Sequence, residues 1–259
     1  MKELASEPMQ IQGLPDGFKE GPYAFKHNNK YYLTFPWVQD KTETLAYAMA
    51  DCPMGPFTFT GIIMDESPSG CWTNHHSITE YNGQWYLFYH HNDYSPNFDK
   101  NRSARIDSLF FNTDGTIKKV KPTLRGVGIT DARSKIQIDR YSTISPYGVT
   151  IDYLEPSNTF EGWQTLFNRA GTWVTYNKVD FGATPVKRLK ARVRSEKGGA
   201  ITLRTPGEKG MTIAELPIKP TGKWTEISTN VSNAPTSMQD LIITQTGENP
   251  VAVDWISFE

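Results

Sequence analysis

The chain is short of several things that usually place a protein early. Only two of its 259 residues are cysteines, Cys52 and Cys71. They could form one disulfide or stay free thiols, so they assign no redox compartment. No apolar run approaches the roughly 18 residues needed to span a bilayer. The opening "MKELASEPMQIQG" lacks the apolar segment of a signal peptide. Net charge is nearly absent too, since 27 basic and 28 acidic residues leave −1. With no global field to attract them, neither nucleic acid nor a membrane surface is expected as a partner. The first half shows no sustained helical period.

What the chain does have is aromatics and turns. Aromatic residues make up 12%, with seven Trp and twelve Tyr. Core packing is their commoner use, and stacking on sugar rings is another. Short apolar-aromatic runs such as "KYYLTFPW", "TLAYAMA" and "QWYLFYHH" alternate with turn residues, which predicts an all-β chain. In "EYNGQWYLFYHH", Asn82-Gly83 supplies the two positive-φ positions of a tight hairpin between residues 76–81 and 84–90. "NTDGTI" signals a second hairpin at residues 112–117.

Residues 118–128, "KKVKPTLRGVG", are basic, contain Pro and Gly, and lack alternation. They read as a connection, dividing the chain into domains 1–127 and 128–259. Beyond them, "KRLKARVR" sends Leu189, Ala191 and Val193 one way and Arg188, Lys190, Arg192 and Arg194 the other. That is the mark of an antiparallel sheet with one buried and one wet face, and the strand spacing indicates a β-sandwich. The basic face could dock uronic acids; a solvated sheet face is the plainer reading.

Four ordered motifs carry a resemblance. "EGPYAFKHNNKYYLTFP", "YAMADCPMGPFTFTG", "NHHSITEYNGQWYLFYHH" and "RSARIDSLFFNTDGTIKKVKPT" resemble family 43 glycoside hydrolases over about residues 10–127. Those enzymes remove arabinose or xylose units from plant polysaccharides and are five-bladed β-propellers. The resemblance implies that this chain supplies a partial propeller of about two and a half blades. Glu20, in the family's "EGP" motif, is then the general acid, enclosed by aromatics. The alternative is a turn acid paired with Lys19 or Lys26.

Inverting enzymes need a second carboxylate, roughly 6.5–9.5 Å from the acid, to activate water. The family places it well ahead of "EGP", and Asp16 stands outside the family motifs. The base is therefore expected to be missing from this chain. It is either a fragment, with another chain supplying the missing blades, or a non-catalytic carbohydrate-binding protein derived from such an enzyme. The resemblance further implies a hydrated cation held near His75, with His76 the adjacent alternative. His90 and Arg102 are expected near the substrate hydroxyls, with an Asp99 or Asp107 ion pair the plainer role for Arg102. Trp37 and Trp72 could stack on sugars or pack in the core.

The second half resembles a family 6 carbohydrate-binding module, a jelly-roll sandwich, through "IQIDRYS", "GTWVTYNKVDFG", "PIKPTGKWTEIS" and "VDWISFE". The resemblance implies a structural calcium ion at Gln137, Asp139 and Asp254. It also implies a sugar cleft between Phe167 and Trp224, weakened because Ala252 replaces the family's Asn. Trp173 and Trp255 read as core. The expected ligand is a plant polysaccharide or oligosaccharide, and the family implies a secreted or periplasmic protein.

Overall fold

The computed structural model describes residues 7–93, 99–208 and 210–259. They are almost entirely strand and turn, and no described helix is long and apolar enough to cross a membrane. The chain splits into Met1–Pro122 and Thr123–Glu259. The division falls inside the basic connection but ahead of residue 127, because Arg125 already belongs to the second unit. Its guanidinium lies 4.8 Å from the Tyr176 ring centroid, and its Nε donates to the Asn177 carbonyl at 3.4 Å.

The first unit contains two antiparallel meanders. Strands β1 (Tyr23–His27), β2 (Lys30–Val38), β3 (Glu43–Ala50) and β4 (Thr58–Met64) form one sheet in chain order. Strands β5 (His76–Tyr81), β6 (Gln84–His91) and β7 (Ser103–Leu109) form the other. Such sheets are propeller blades. Asn82 and Gly83, at φ 50° and 78°, close the β5–β6 hairpin where the sequence requires positive φ. At the second predicted hairpin the chain turns at Gly115, but the pairing shrinks to a single bridge between Phe111 and Ile117.

The sequence of β3, "ETLAYAMA", explains how the first sheet is buried on both faces. Leu45, Tyr47 and Met49 point into a cluster with Ile78, Leu87 and Leu109 of the second sheet. Ala46, Ala48 and Ala50 point the other way. Their small side chains leave room for Leu14 and Phe18 of the N-terminal loop. Between the sheets a polar contact crosses the apolar seam, as His76 Nε2 lies 2.6 Å from Thr34 Oγ1.

The second unit is a sandwich. Its short first strands are β8 (Thr130–Asp131), β9 (Ile136–Gln137) and β10 (Thr143–Ile144), followed by β11 (Val149–Tyr153), β12 (Trp163–Phe167) and β13 (Trp173–Asp180). Then come β14 (Arg188–Arg194), β15 (Gly199–Arg204), β16 (Thr212–Ile218), β17 (Thr225–Asn230), β18 (Met238–Gln245) and β19 (Val251–Phe258). One sheet has the order β10-β13-β18-β15-β16 and the other β11-β12-β19-β14-β17, with β8 beside β13 and β9 beside β19. The expected faces of β14 hold: Leu189, Ala191 and Val193 are fully buried in the common core. Cys52 is exposed, Cys71 is buried, and both are free thiols.

Candidate active site

Glu20 sits on the loop that enters β1. Gly21 follows at φ +65°, a conformation that favours glycine. A Cβ there would lie 3.1 Å from His75 Cε1, so the missing side chain also lets the imidazole approach the backbone. His75 comes from the other sheet, just ahead of β5, and its Nε2 stands 3.5 Å from Glu20 Oε1. This pairing replaces the Lys19 or Lys26 contact that a plain turn acid would make. The expected aromatic enclosure is not there, since the Glu20 side chain is 68% exposed. It lies on a loop rather than on an inner strand, which is why the rings of β1 and β2 do not wrap it.

The two histidines at the start of β5 diverge, as alternation along a strand requires. His75 faces Glu20, while His76 enters the seam. Thr34 gives its hydroxyl proton to the Tyr23 carbonyl at 3.0 Å, so His76 Nε2 is the donor to Thr34. Burial, with the charge of His75 adding, pushes His76 down to about 4. His90 Nε2 accepts the His75 backbone N–H at 3.2 Å, which places the His90 proton on the buried Nδ1. Burial first, then the charges of Arg102, His75 and His91, brings His90 down to about 4 as well. His90 is thus a neutral support beneath His75, with the exposed Arg102 within electrostatic reach.

One residue of this neighbourhood escaped the sequence reading. Glu43, the first residue of β3, is 8% exposed and accepts the Asn74 backbone N–H at 2.8 Å. Burial raises its carboxyl above the usual range, and the nearby Glu20 charge adds to this against the Asn74 hydrogen bond and His75. The available signal was an acid heading an otherwise apolar run. Deeper still, Asn74 Nδ2 lies 3.4 Å from His91 Nε2, and Asp93 joins His91 and Arg105. Burial works against the Asp93 charge, but the His91 hydrogen bond and the charges of His91 and Arg105 hold its carboxyl below the usual range.

The expected stacking residues separate. Trp37 packs against Phe59 with ring centroids 5.1 Å apart, and its indole N–H donates to the Asp16 carbonyl at 2.8 Å. Trp72 is 36% exposed beside the His75 segment. In the sandwich, Phe167 is fully buried in the core, so it presents no ring face to a sugar. Its place in β12 opposite Val251 of β19 turns it inward. Trp224 is half-buried on the wet side of β14, with the Arg192 and Arg194 guanidinium carbons 5.4 and 5.1 Å from its centroid. Trp255 is buried beneath Lys135, and Trp173 is only half-buried.

The donor set for the implied calcium ion consists of oxygens. Asp139 and Asp254 are both buried, on the 3-10 turn after β9 and on β19, while Gln137 is exposed on β9. A positive charge already stands there, for Arg192 Nη1 lies 2.7 Å from Asp254 Oδ2. Even so, burial leaves the Asp254 carboxyl above its usual range. Two buried carboxylates fit a hard cation, with Arg192 as its rival. At His75 no group of three acidic, histidine or cysteine side chains gathers among the described residues. A cation there would meet His75 and Glu20 and otherwise water.

Comparison with known proteins gives this geometry a context. The model described as Glycosyl hydrolases family 43 matches residues 4–117, and that described as Carbohydrate binding module (family 6) matches residues 145–259. An arabinoxylan arabinofuranohydrolase of Paenibacillus polymyxa is 28% identical over 258 residues, which cover 88% of this chain and 40% of that protein. A beta-xylosidase of Xylanibacter ruminicola is 43% identical over 109 residues, covering 41% of this chain and 32% of that protein. The chain therefore spans less than half the length of either relative. A family 43 arabinoxylan arabinofuranohydrolase from Bacillus subtilis, solved in complex with cellotetraose, is similar in fold with a TM-score of 0.57 at 23% identity. The match covers 93% of this chain and 54% of that one. Residues 4–117 thus belong to the family 43 glycosyl hydrolases, and residues 145–259 are a family 6 carbohydrate-binding module.

Proposed function

We propose that the first unit supplies the general acid of an inverting glycoside hydrolase acting on arabinoxylan-type plant polysaccharide, as an arabinofuranosidase or xylosidase. In this reading the second unit holds the polymer. The observation that carries it is the exposed Glu20 carboxyl, set on the Gly21-Pro22 turn and oriented by His75 at 3.5 Å. An acid that protonates a departing sugar oxygen must be reachable by substrate and fixed in direction. Arg102 and Trp72 are accessible at the same end of the second sheet and suit sugar hydroxyls and a ring face. Glu43, the carboxylate within electrostatic reach of Glu20, is enclosed and hydrogen-bonded, so it is not placed to activate water. The reading therefore takes the base from outside the described residues. In this reading a polymeric plant substrate implies a secreted or periplasmic protein.

The test joins a family 43 propeller segment that carries a base carboxylate ahead of this chain. The chimera should release arabinose or xylose from aryl glycosides, and Glu20→Gln should cut turnover about 10²–10⁴-fold. This chain alone should turn over no faster than its own Glu20→Gln variant. A chimera whose activity is indifferent to Glu20→Gln would sink the acid assignment. Retention on arabinoxylan without Glu20-dependent turnover in either protein would favour a carbohydrate-binding role.

A further inference from the structure

The segment Trp72–His75 crosses from one sheet of the first unit to the other, and its backbone is tied down along its length. Trp72 N–H donates to the Asp99 carbonyl at 2.9 Å. His75 N–H is shared between the Thr73 carbonyl at 2.9 Å and His90 Nε2 at 3.2 Å. Those partners lie in the segment itself, in the sheet it leads into, or in the connection between β6 and β7. Asn74 N–H is different, because its acceptor is a side chain from β3 of the other sheet, Glu43 Oε2 at 2.8 Å. The Asn74 side chain is fully buried and reaches His91, so the residue cannot turn outward to find water. Without Glu43 its amide would be buried with no acceptor, an arrangement that folded proteins rarely tolerate.

We propose that Glu43 is the positioning residue of the Glu20–His75 pair. Its carboxylate clamps the Asn74 amide, and this fixes the next residue, His75, over Gly21 at the reach of Glu20. The proposal rests on the reading of Glu20 as the acid, because only then does a fixed His75 matter to catalysis. Two observations support a clamp over simple filling. Glu43, from β3, and Glu20, from the loop that enters β1, meet adjacent residues, Asn74 and His75, so the tie and the acid act on one dipeptide. The close fit of the imidazole against Gly21, where even a methyl group would crowd it, leaves little room for a displaced ring.

The test needs no hydrolysis. In the full chain, labelled at histidine and glycine, the nuclear Overhauser contact between Gly21 Hα and the His75 ring reports the aim. Exchange of the Asn74 amide reports the clamp. Glu43→Gln keeps an oxygen acceptor and should preserve both signals. Glu43→Asp keeps the charge but withdraws it by one methylene, and Glu43→Ala removes both. These two variants should speed Asn74 exchange at least tenfold and weaken or abolish the Gly21–His75 contact. The His76–Thr34 signal should persist in both as proof of fold. If Glu43→Ala does not fold, the Gln and Asp variants still decide the matter. Identical behaviour of those two, or an unchanged Gly21–His75 contact in a folded Ala variant, would overturn the proposal. Glu20→Gln should leave the contact in place, so a failure of the acid assignment is read separately from a failure of the clamp.

Discussion

Tyr32 of β2 gives its hydroxyl proton to the carbonyl of Gly115 at 2.7 Å, across 83 residues of sequence. The ring is fully buried and lies parallel to Phe25 with centroids 4.6 Å apart. Gly115 has φ +86°, and a Cβ on it would stand 3.2 Å from the Tyr32 hydroxyl. This bond therefore fastens the 112–117 turn to the first sheet.

Burial, with the negative charges of Tyr47 and Asp114 adding, pushes the Tyr32 phenol up to about 12. An unfolded tyrosine ionises near 10. Between those values the unfolded chain binds fewer protons than the folded one, so stability is full below about pH 10 and falls as pH rises toward 12. The expected slope is about 1.4 kcal/mol per pH unit. Tyr32→Phe should flatten that alkaline limb in urea titrations and cost about 1 kcal/mol at neutral pH from the lost hydrogen bond. An unchanged limb would show that Tyr32 ionises as if exposed.

The second sheet of the first unit has one face turned away from the seam, and Phe88 stands on it, 42% exposed, between Ser77 and Ile106 on the flanking strands. An uncovered apolar sheet face favours association. The chain should show concentration-dependent self-association in light scattering, and Phe88→Lys should shift it toward monomer. A wild-type protein that stays monomeric at high concentration would refute this.

Phe167 and Trp224 should respond in opposite ways to truncation. Phe167→Ala empties a core position and should destabilise the sandwich by about 3–5 kcal/mol. Trp224→Ala should leave stability nearly unchanged but abolish the weak affinity expected for xylo- or arabino-oligosaccharides. Calorimetry in which Trp224→Ala binds as well as wild type would move the sugar site elsewhere on the sandwich.

Calcium should raise the melting temperature of the sandwich transition in the full chain, since a ligand that binds only the folded state stabilises it. Asp254→Ala should remove the rise, whereas Arg192→Ala, which frees the carboxylate of its rival, should enlarge it. No response to millimolar calcium in wild type or Arg192→Ala would leave Arg192 as the resident counter-charge.

Features set by neighbouring residues were legible in the sequence. Asn82-Gly83 announces its hairpin because few other pairs tolerate both positive φ values, and β14 shows its buried face through simple alternation. Features set by register were not. Phe167 reads as a cleft aromatic until the pairing with Val251 turns it inward. Asp254 reads as a cation ligand, and the sequence gives no sign that a bulge in the β14–β19 ladder also sets it against Arg192. Glu43 looks like a solvated acid in "DKTETL" because its burial depends on a loop some thirty residues further along the chain. The Glu20–His75 approach likewise joins two sheets, and only the motif resemblance pointed to both residues.

The loop bearing Glu20 is held from behind. Phe18 meets Phe35 edge to face at 5.2 Å, a single bridge joins Phe18 to Trp37, and the Trp37 indole grips the Asp16 carbonyl. These anchors are few, and they sit outside the regular ladders of β1–β4. On warming, the loop should peel away before the sheets melt, which would carry the acid out of reach of His75 while most of the secondary structure survives. Inactivation of an enzyme built on this unit would then precede denaturation. A bulkier residue in place of Ala48 would bring that failure down to ordinary temperatures, even though it lies on the far side of the sheet from the seam.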